Sequence, residues 1–341
     1  MKKIIISMMA VAALAACSKS EVAFEQPDAI GFQVVTGKMT KAAVADNVYP
    51  EALNMYVFAM TETDGGVANT TADYLKNAEF AKVLVSNGQN LWGGWLDGTA
   101  YPYYWPNVKK LYFAGVSKSG NVNNGAEPTY NSGTITINGY QPGVGTDDLG
   151  DNDLMWFPTT DESYGKGTVS VPVVMKHACS WITVKMAGDE WTAGRYTITD
   201  IHIEGLTTKG NVDLNIAADW TLSTEAADLN KTFSVYSNET GKVLSTSATE
   251  VGFENIANNT VVLPEQVPGT LSITYNFKSQ AGETIEETVT GSLKFAGEAA
   301  WVAGTHYIYT VTITASQILI APTVETWTPS PAEGGHGVTV Q

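Results

Sequence analysis

The chain has 341 residues, with 19 basic and 35 acidic side chains, which gives a formal net charge of −16 at neutral pH. An acidic surface repels nucleic acid and anionic lipid headgroups, so neither is expected as a partner of the folded protein. Hydrophobic residues make up 44% of the chain and the charges are interspersed, which favours a folded, soluble body. The length suggests two domains.

The N-terminus has the pattern of an export signal. Lys2 and Lys3 precede an apolar stretch, Ile4 to Ala13, that is too short to span a bilayer as a helix. The run "LAAC" that ends at Cys17 resembles the bacterial lipobox, in which the cysteine is lipidated and becomes the first residue of the mature protein. The alternative is a buried cysteine beside an ordinary signal peptide.

Strand patterns dominate the rest of the chain, with alternating β-branched and aromatic residues punctuated by Gly, Asn and Asp. In the first of them Ile30, Phe32 and Val34 alternate with their neighbours, and Lys38 and Lys41 follow directly. The stretch "ALNMYVFAMT" is apolar on both faces, as a central strand between two layers would be. Further strands are predicted at "KKLYFAGVS", "GTITING", "GTVSVPVVMK", "CSWITVKMAG", "YTITDIHIEG", "GTLSITYNFKS", "EETVTGSLKF" and "HYIYTVTITAS".

The number and spacing of these short strands predict β-sandwiches. A Gly-rich stretch, "SYGKGTVSV" at residues 163–171, is the best position for a boundary between two domains.

An aromatic patch, "LWGGWLDGTAYPYYWP", contains Trp92, Trp95 and Trp105 together with three tyrosines. If these rings were exposed on a loop, they could stack on sugar rings, which predicts a glycan-binding surface. The alternative is that they pack inside the protein, because aromatic side chains bury large areas.

Catalytic and metal-binding patterns are weak. The four His residues are scattered, and the acidic stretch "GTDDLGDNDL" has only fragments of a calcium loop. The stretch "GVSKSG" is one residue longer than a nucleophile elbow. Cys179 has the apolar surroundings of a buried side chain, and a catalytic thiol is the less favoured alternative. We therefore predict no enzymatic activity, no cofactor and no metal site.

Several phrases, in order along the chain, resemble the fimbrillin family, the type V pilins and their relatives. Each phrase alone mostly encodes a strand, but the ordered set together with the lipobox is more specific. The phrases are "YYWPNVKKLYFAG", "DLMWFP", "VSVPVVMKHACSWITVKM", "LPEQVPGTLSITYNF", "WVAGTHYIYTVTITAS" and "VETW".

This resemblance implies two transthyretin-like β-sandwich domains with Greek-key-type connections. It also implies a lipoprotein precursor at the outer membrane that becomes part of a surface fimbria. Its partners would be other fimbrial subunits and a maturation protease, with an adhesion ligand that the sequence does not specify. The implied segments are a signal peptide 1–16, a removable lipidated segment 17–43, an N-terminal domain 44–168 and a C-terminal domain 169–341.

In this family a protease removes the N-terminal segment with its first strand, and a strand from a neighbouring subunit fills the groove. Carried onto this sequence, the removable strand is Ile30–Val35 and the cut follows Lys38 or Lys41, with Lys41 favoured. Better-known members are cut after Arg, whereas the only Arg here is Arg195. The alternative is that both lysines merely solvate a linker.

The donor of such an exchange should be an extended, apolar tail, and residues 317–341 have this pattern. The alternative is that they are the last strands of the C-terminal sandwich. Whether the subunit belongs to the stalk, the tip or the anchor is left open. The candidate donor side chains are Ile318, Ile320, Val324, Trp327, Val338 and Val340.

Overall fold

The structure is a computed structural model that describes residues 28–36, 49, 53–84, 90–142, 153–251, 261–266, 269–293, 300–315 and 317–326. Strands form nearly all of its regular structure, which confirms the predicted all-β class. The helical element within these ranges is a 3-10 helix, Gly120–Asn124. No helix in this part of the chain is long and apolar enough to cross a lipid bilayer.

The strands follow one another along the chain with short connections. They are β1 (Gly31–Thr36), β2 (Met55–Thr61), β3 (Leu75–Leu84), β4 (Asn90–Leu96), β5 (Thr99–Ala100), β6 (Leu111–Ser117), β7 (Thr129–Asn131), β8 (Thr134–Tyr140), β9 (Met155–Phe157), β10 (Val171–His177), β11 (Ser180–Gly188), β12 (Thr197–Leu206), β13 (Gly210–Leu214), β14 (Ala218–Leu222), β15 (Lys231–Val243), β16 (Thr249–Val251), β17 (Val261–Val262), β18 (Thr270–Lys278), β19 (Thr284–Ser292), β20 (Thr305–Ile313) and β21 (Ile318–Thr326).

The first sheet closes on itself. Its strands follow the order β1-β10-β9-β6-β2-β3-β4, β5 extends β4, and β4 pairs back to β1. β1 runs parallel to β10, from Phe32 beside Val171 to Thr36 beside Met175. It runs antiparallel to β4, where Phe32 lies beside Trp92. β1 is therefore the strand that joins the two ends of the sheet.

The central strands β2 and β6 bury both of their faces, as predicted for "ALNMYVFAMT". One face, which includes Val57 and Phe113, packs in the interior of the closed sheet. The other face, which includes Phe58 and Ala114, packs against a four-stranded sheet of order β14-β13-β8-β7. Because β13 and β14 come from the second half of the chain, the two halves share this core.

The remaining strands form a C-terminal sandwich. One sheet has the order β16-β11-β20-β21, with β17 also paired to β11, and the other has the order β15-β12-β18-β19. Alternate residues of β20 face the core between the sheets, as the pattern "HYIYTVTITAS" predicted. These core residues are Tyr307, Tyr309, Val311 and Ile313.

The proposed boundary after residue 168 would separate β10 from the strands beside it. β10 pairs with β1 and β9, so residues 171–177 belong to the closed sheet rather than to the C-terminal sandwich. Sequence alternation identifies "VPVVMK" as a strand but contains no information about which strand it pairs with. The division of the chain into two folded units stays a prediction.

Candidate functional site

The candidate site is the seat of β1, which we define as β4, β10 and the aromatic loop of residues 101–105. The alternation seen in the sequence places Ile30, Phe32 and Val34 in the interior of the closed sheet, where they are 0%, 0% and 5% exposed. Gln33, between them, faces solvent. Ile30 and β1 thus present one continuous apolar face to the core.

Phe32 occupies the centre of this core. Its ring centroid lies 5.0 Å from that of Phe80 and 5.1 Å from that of Phe113, both in edge-to-face geometry, and 6.1 Å from that of Phe157. These partners come from three different strands, β3, β6 and β9. Loss of β1 would therefore remove the Phe32 ring from the centre of the core and leave an apolar groove between β4 and β10.

The start of β1 is hydrogen-bonded to the aromatic loop. The Ile30 N–H donates to the Tyr103 carbonyl at 2.7 Å, and the Trp105 N–H donates to the Asp28 carbonyl at 2.9 Å. The carboxylate of Asp28 also lies 3.1 Å from Lys166 Nζ on the surface. Since β10 pairs with the other side of β1, removal of the strand would leave unpaired backbone groups on both walls of the groove.

Most of the aromatic patch packs inward. Trp92 and Trp105 are 0% and 4% exposed, and they contact Tyr49 and Phe113 with ring centroids 5.4 and 5.7 Å apart. The glycan-platform prediction is therefore wrong for these two tryptophans, because a ring in the core cannot stack on an external sugar. Trp95 is half-buried on β4.

Gly94 lets the aromatic loop fold back on β4, and the sequence prediction missed it. A Cβ on Gly94 would lie 2.0 Å from the carbonyl oxygen of Tyr101. The Tyr101 N–H in turn donates to the Gly94 carbonyl at 2.8 Å. The "GG" inside "LWGGWL" was the available signal, because glycine within a strand often marks a close backbone approach.

The part of the apolar tail that the structure describes is folded into the C-terminal sandwich. Ile318, Ile320 and Val324 lie on β21, which pairs antiparallel with β20, and they are half-buried against the core. This arrangement matches the second of the two interpretations that the sequence left open. The predicted site residues that fall outside the described residues are Cys17, Lys38, Lys41, Trp327, Val338 and Val340.

Asp153, His177 and Cys179 are titratable groups outside the seat of β1, and all three are buried in the core. Asp153, from the acidic stretch, is buried with its Oδ2 2.6 Å from Nδ1 of His177. Burial raises the pKa of Asp153, although His177 opposes the shift. Burial also raises the pKa of the Cys179 thiol, which is the opposite of what an activated thiolate requires. The described residues contain no group of three or more His, Cys, Asp or Glu arranged to hold a metal ion.

Comparison with known protein families identifies the family to which this chain belongs. The family model of fimbrillin-like proteins matches residues 40–327, well over half of the chain. The chain belongs to the fimbrillin-like family. This confirms the resemblance identified from the sequence phrases. A search of curated protein sequences found no match to this fimbrillin-like chain.

Solved structures share its fold. A candidate cell adhesion protein of Bacteroides uniformis is 18% identical with a TM-score of 0.52, and the match covers 89% of this chain and 100% of that one. A fimbrial protein of Bacteroides vulgatus is 15% identical with a TM-score of 0.51, over 88% and 100% of the two chains. A candidate cell adhesion protein of Bacteroides ovatus is 13% identical with a TM-score of 0.51, over 88% and 97%.

Proposed function

We propose that this fimbrillin-like protein is a structural subunit of a surface fimbria and that its copies polymerise by strand exchange. Proteolysis after Lys41, or after Lys38, removes β1, and a strand of another copy takes the vacated seat. The observation that supports this most is that β1 both closes the first sheet and fills the centre of its core. Family membership supports the fimbrial role independently.

The energetics favour a replacement strand over an empty groove. Each large apolar side chain that is fully buried contributes ~1.5–3 kcal/mol, and each ladder hydrogen bond adds ~0.5–1.5 kcal/mol. A strand that reproduces the contacts of Ile30, Phe32 and Val34 gains this stabilisation, less the cost of association. Head-to-tail contacts that do not close into a ring build a filament.

The lipid anchor and the cut are linked by their order along the chain. Cys17 and β1 both precede Lys41, so cleavage after Lys41 would release the lipid and the closing strand together. A precursor held at the outer membrane through its acyl chains would therefore become competent for assembly when it is freed from the membrane. N-terminal sequencing of protein sheared from cells tests this order, with Met39 or Ala42 expected as the first residue.

A reversible cross-link tests the exchange itself. Gln33 on β1 and Pro172 on β10 are exposed neighbours in register, so Gln33→Cys with Pro172→Cys should form a disulfide that keeps β1 in place. We expect the locked precursor to stay monomeric after cleavage at Lys41 and to polymerise once the disulfide is reduced. Light scattering and negative-stain electron microscopy report the outcome.

The two single-cysteine variants serve as matched controls and should polymerise after cleavage with or without reductant. Of the two native cysteines, Cys179 is buried and does not compete for the cross-link, and Cys17 is excluded when the precursor is expressed from residue 18. Equal polymerisation of the locked and unlocked proteins would show that β1 need not leave its seat, which would overturn the proposal.

A further inference from the structure

Three polar side chains meet on the outer face of the closed sheet, at the adjoining ends of β2 and β6. Asn54 directly precedes β2, Glu79 lies on β3, and Lys118 directly follows β6. β2 pairs with both neighbours, and its register with β6 makes Asn54 and Lys118 cross-strand neighbours. The Lys118 N–H donates to the Asn54 carbonyl at 2.8 Å, which fixes this register at the end of the two strands.

The side chains share one carboxylate. Asn54 Nδ2 donates to Glu79 Oε1 at 2.6 Å, and Lys118 Nζ donates to Glu79 Oε2 at 3.0 Å. The side chains of Lys118 and Glu79 are 22% and 21% exposed, so the cluster is largely shielded from water. The ring of Tyr56 covers it further, with its centroid 5.4 Å from Lys118 Nζ. An amine, a carboxamide and a carboxylate are thus held together in a partly dry site.

We propose that Lys118 and Asn54 form an intramolecular isopeptide bond, with Glu79 as the proton-transfer residue. The Lys118 amine attacks Cγ of Asn54, so the Nζ–Cγ bond forms and the Cγ–Nδ2 bond breaks. Glu79 takes a proton from the Lys118 ammonium and returns it to Nδ2, which leaves as ammonia. The second proton that Nζ loses ends on this ammonia, so one ammonium ion is released and Glu79 is again a carboxylate.

The geometry supplies what this reaction needs. Directly opposed residues of antiparallel strands have Cβ atoms about 4.5–5.5 Å apart, so the flexible Lys118 side chain reaches the Asn54 amide without movement of the backbone. Holding two reacting groups and a proton-transfer group together replaces a slow encounter by a reaction within one molecule. The reaction needs no oxidant, cofactor or second substrate.

The reaction should accelerate as the pH rises. Burial lowers the pKa of Lys118, but its hydrogen bond to Glu79 and the nearby Tyr56 more than offset this, so the pKa lies above its ordinary value. The amine is therefore protonated at neutral pH, and its nucleophilic neutral form becomes more abundant with each step in pH. Tyr56 lies beside Lys118, Tyr103 faces Glu79, and the Tyr49 hydroxyl donates to the Asn54 carbonyl at 3.0 Å.

Intact-mass spectrometry of the purified protein tests the proposal directly. After incubation at pH 9, we expect the wild-type mass to fall below the sequence mass by one ammonia. Tandem spectra should identify a branched peptide that joins Asn54 to Lys118. The Glu79→Gln and Lys118→Arg variants should keep the full mass, whereas Lys278→Gln, at the exposed end of β18 in the C-terminal sandwich, should show the same loss as the wild type.

The intact mass of the wild-type protein tests for the isopeptide bond even if the Glu79→Gln variant does not fold. A full sequence mass after prolonged incubation, with the Asn54 and Lys118 peptides recovered unlinked, would reduce the cluster to an ordinary ion pair and overturn the proposal. Since neither Asn54 nor Lys118 belongs to the seat of β1, the absence of the bond would leave the strand-exchange proposal untouched. A failure of strand exchange would likewise leave the mass loss unchanged.

Discussion

At the scale of single residues, burial determines what each aromatic side chain can do. Phe32 is the side chain through which β1 contacts three other strands of the closed sheet. Trp92 and Trp105 line the same core, which removes them from any surface role. The chemistry of a ring therefore says little about function until its position relative to the core is known.

Replacement of Phe32 by Ala tests whether β1 is docked in the uncleaved protein. We expect a loss of ~3–5 kcal/mol in the free energy of unfolding, since a fully buried ring is removed. The adjacent Gln33→Ala faces solvent and should change stability by no more than about 0.5 kcal/mol. Urea denaturation of both variants measures this, and equal stabilities would mean that β1 is not part of the folded core.

His306 gives the C-terminal sandwich a predicted sensitivity to acid. Its ring stacks on Trp181 at 3.6 Å, and its Nε2 lies 2.8 Å from Thr183 Oγ1. Burial, assisted by the positive charge of Lys185, lowers the pKa of His306 to about 3. Between pH ~6.5 and pH 3 the unfolded chain binds a proton at His306 that the folded chain does not. The free energy of unfolding therefore decreases as the pH is lowered through this range, by up to about 1.4 kcal/mol per pH unit.

The variant His306→Gln should therefore show a smaller loss of stability between pH 6.5 and pH 4 than the wild type. Thr310→Ala, on the same strand but without a titratable group, should keep the wild-type slope. Denaturant titrations across this pH range provide the measurement. Identical slopes for the wild type and His306→Gln would assign the acid sensitivity to other groups.

At the scale of strands, the alternation of apolar residues predicted where strands form, but it did not predict which strands pair with one another. The pattern of "ALNMYVFAMT" indicated a strand buried on both faces, because no solvated position interrupts it. Nothing local to Phe32 or Trp92 indicates that they lie side by side, since that contact depends on how the sheet closes. The same holds for Asn54, Glu79 and Lys118, which come together only through the register of three strands.

The occupied position of β21 limits where a donor strand can come from. Ile318, Ile320 and Val324 already pack against the C-terminal core, so a donor role would fall on residues 327–341. We expect a chain that ends at residue 326 to keep its stability but to lose polymerisation after cleavage. A chain that ends at residue 317 should also lose stability, because it lacks β21.

Thermal unfolding and light scattering of the two truncated proteins separate these effects. If the chain that ends at residue 326 still polymerises after cleavage, the donor lies elsewhere in the sequence. If the chain that ends at residue 317 is as stable as the full chain, the pairing of β21 with β20 contributes little to the fold.

At the scale of the whole molecule, charge opposes assembly. The full chain has a net charge of −16, and removal of residues 1–41 takes away five lysines and three acidic residues, so cleaved copies carry −18 and repel one another at low ionic strength. The Debye length shortens from ~30 Å at 0.01 M salt to ~8 Å at 0.15 M, so polymerisation of the cleaved protein should become faster across this range. Light scattering at a series of NaCl concentrations gives the rates, and slower assembly in salt would instead indicate complementary charges at the junction.

The pairing of β1 has a directional consequence. Its two neighbours run in opposite senses relative to it, β10 parallel and β4 antiparallel. A segment that enters in the orientation of β1 restores this pairing, whereas a reversed segment would run antiparallel to β10 and parallel to β4. A fibre built through such junctions would have two chemically distinct ends, one offering an empty seat and the other an unused tail, and each could be blocked separately.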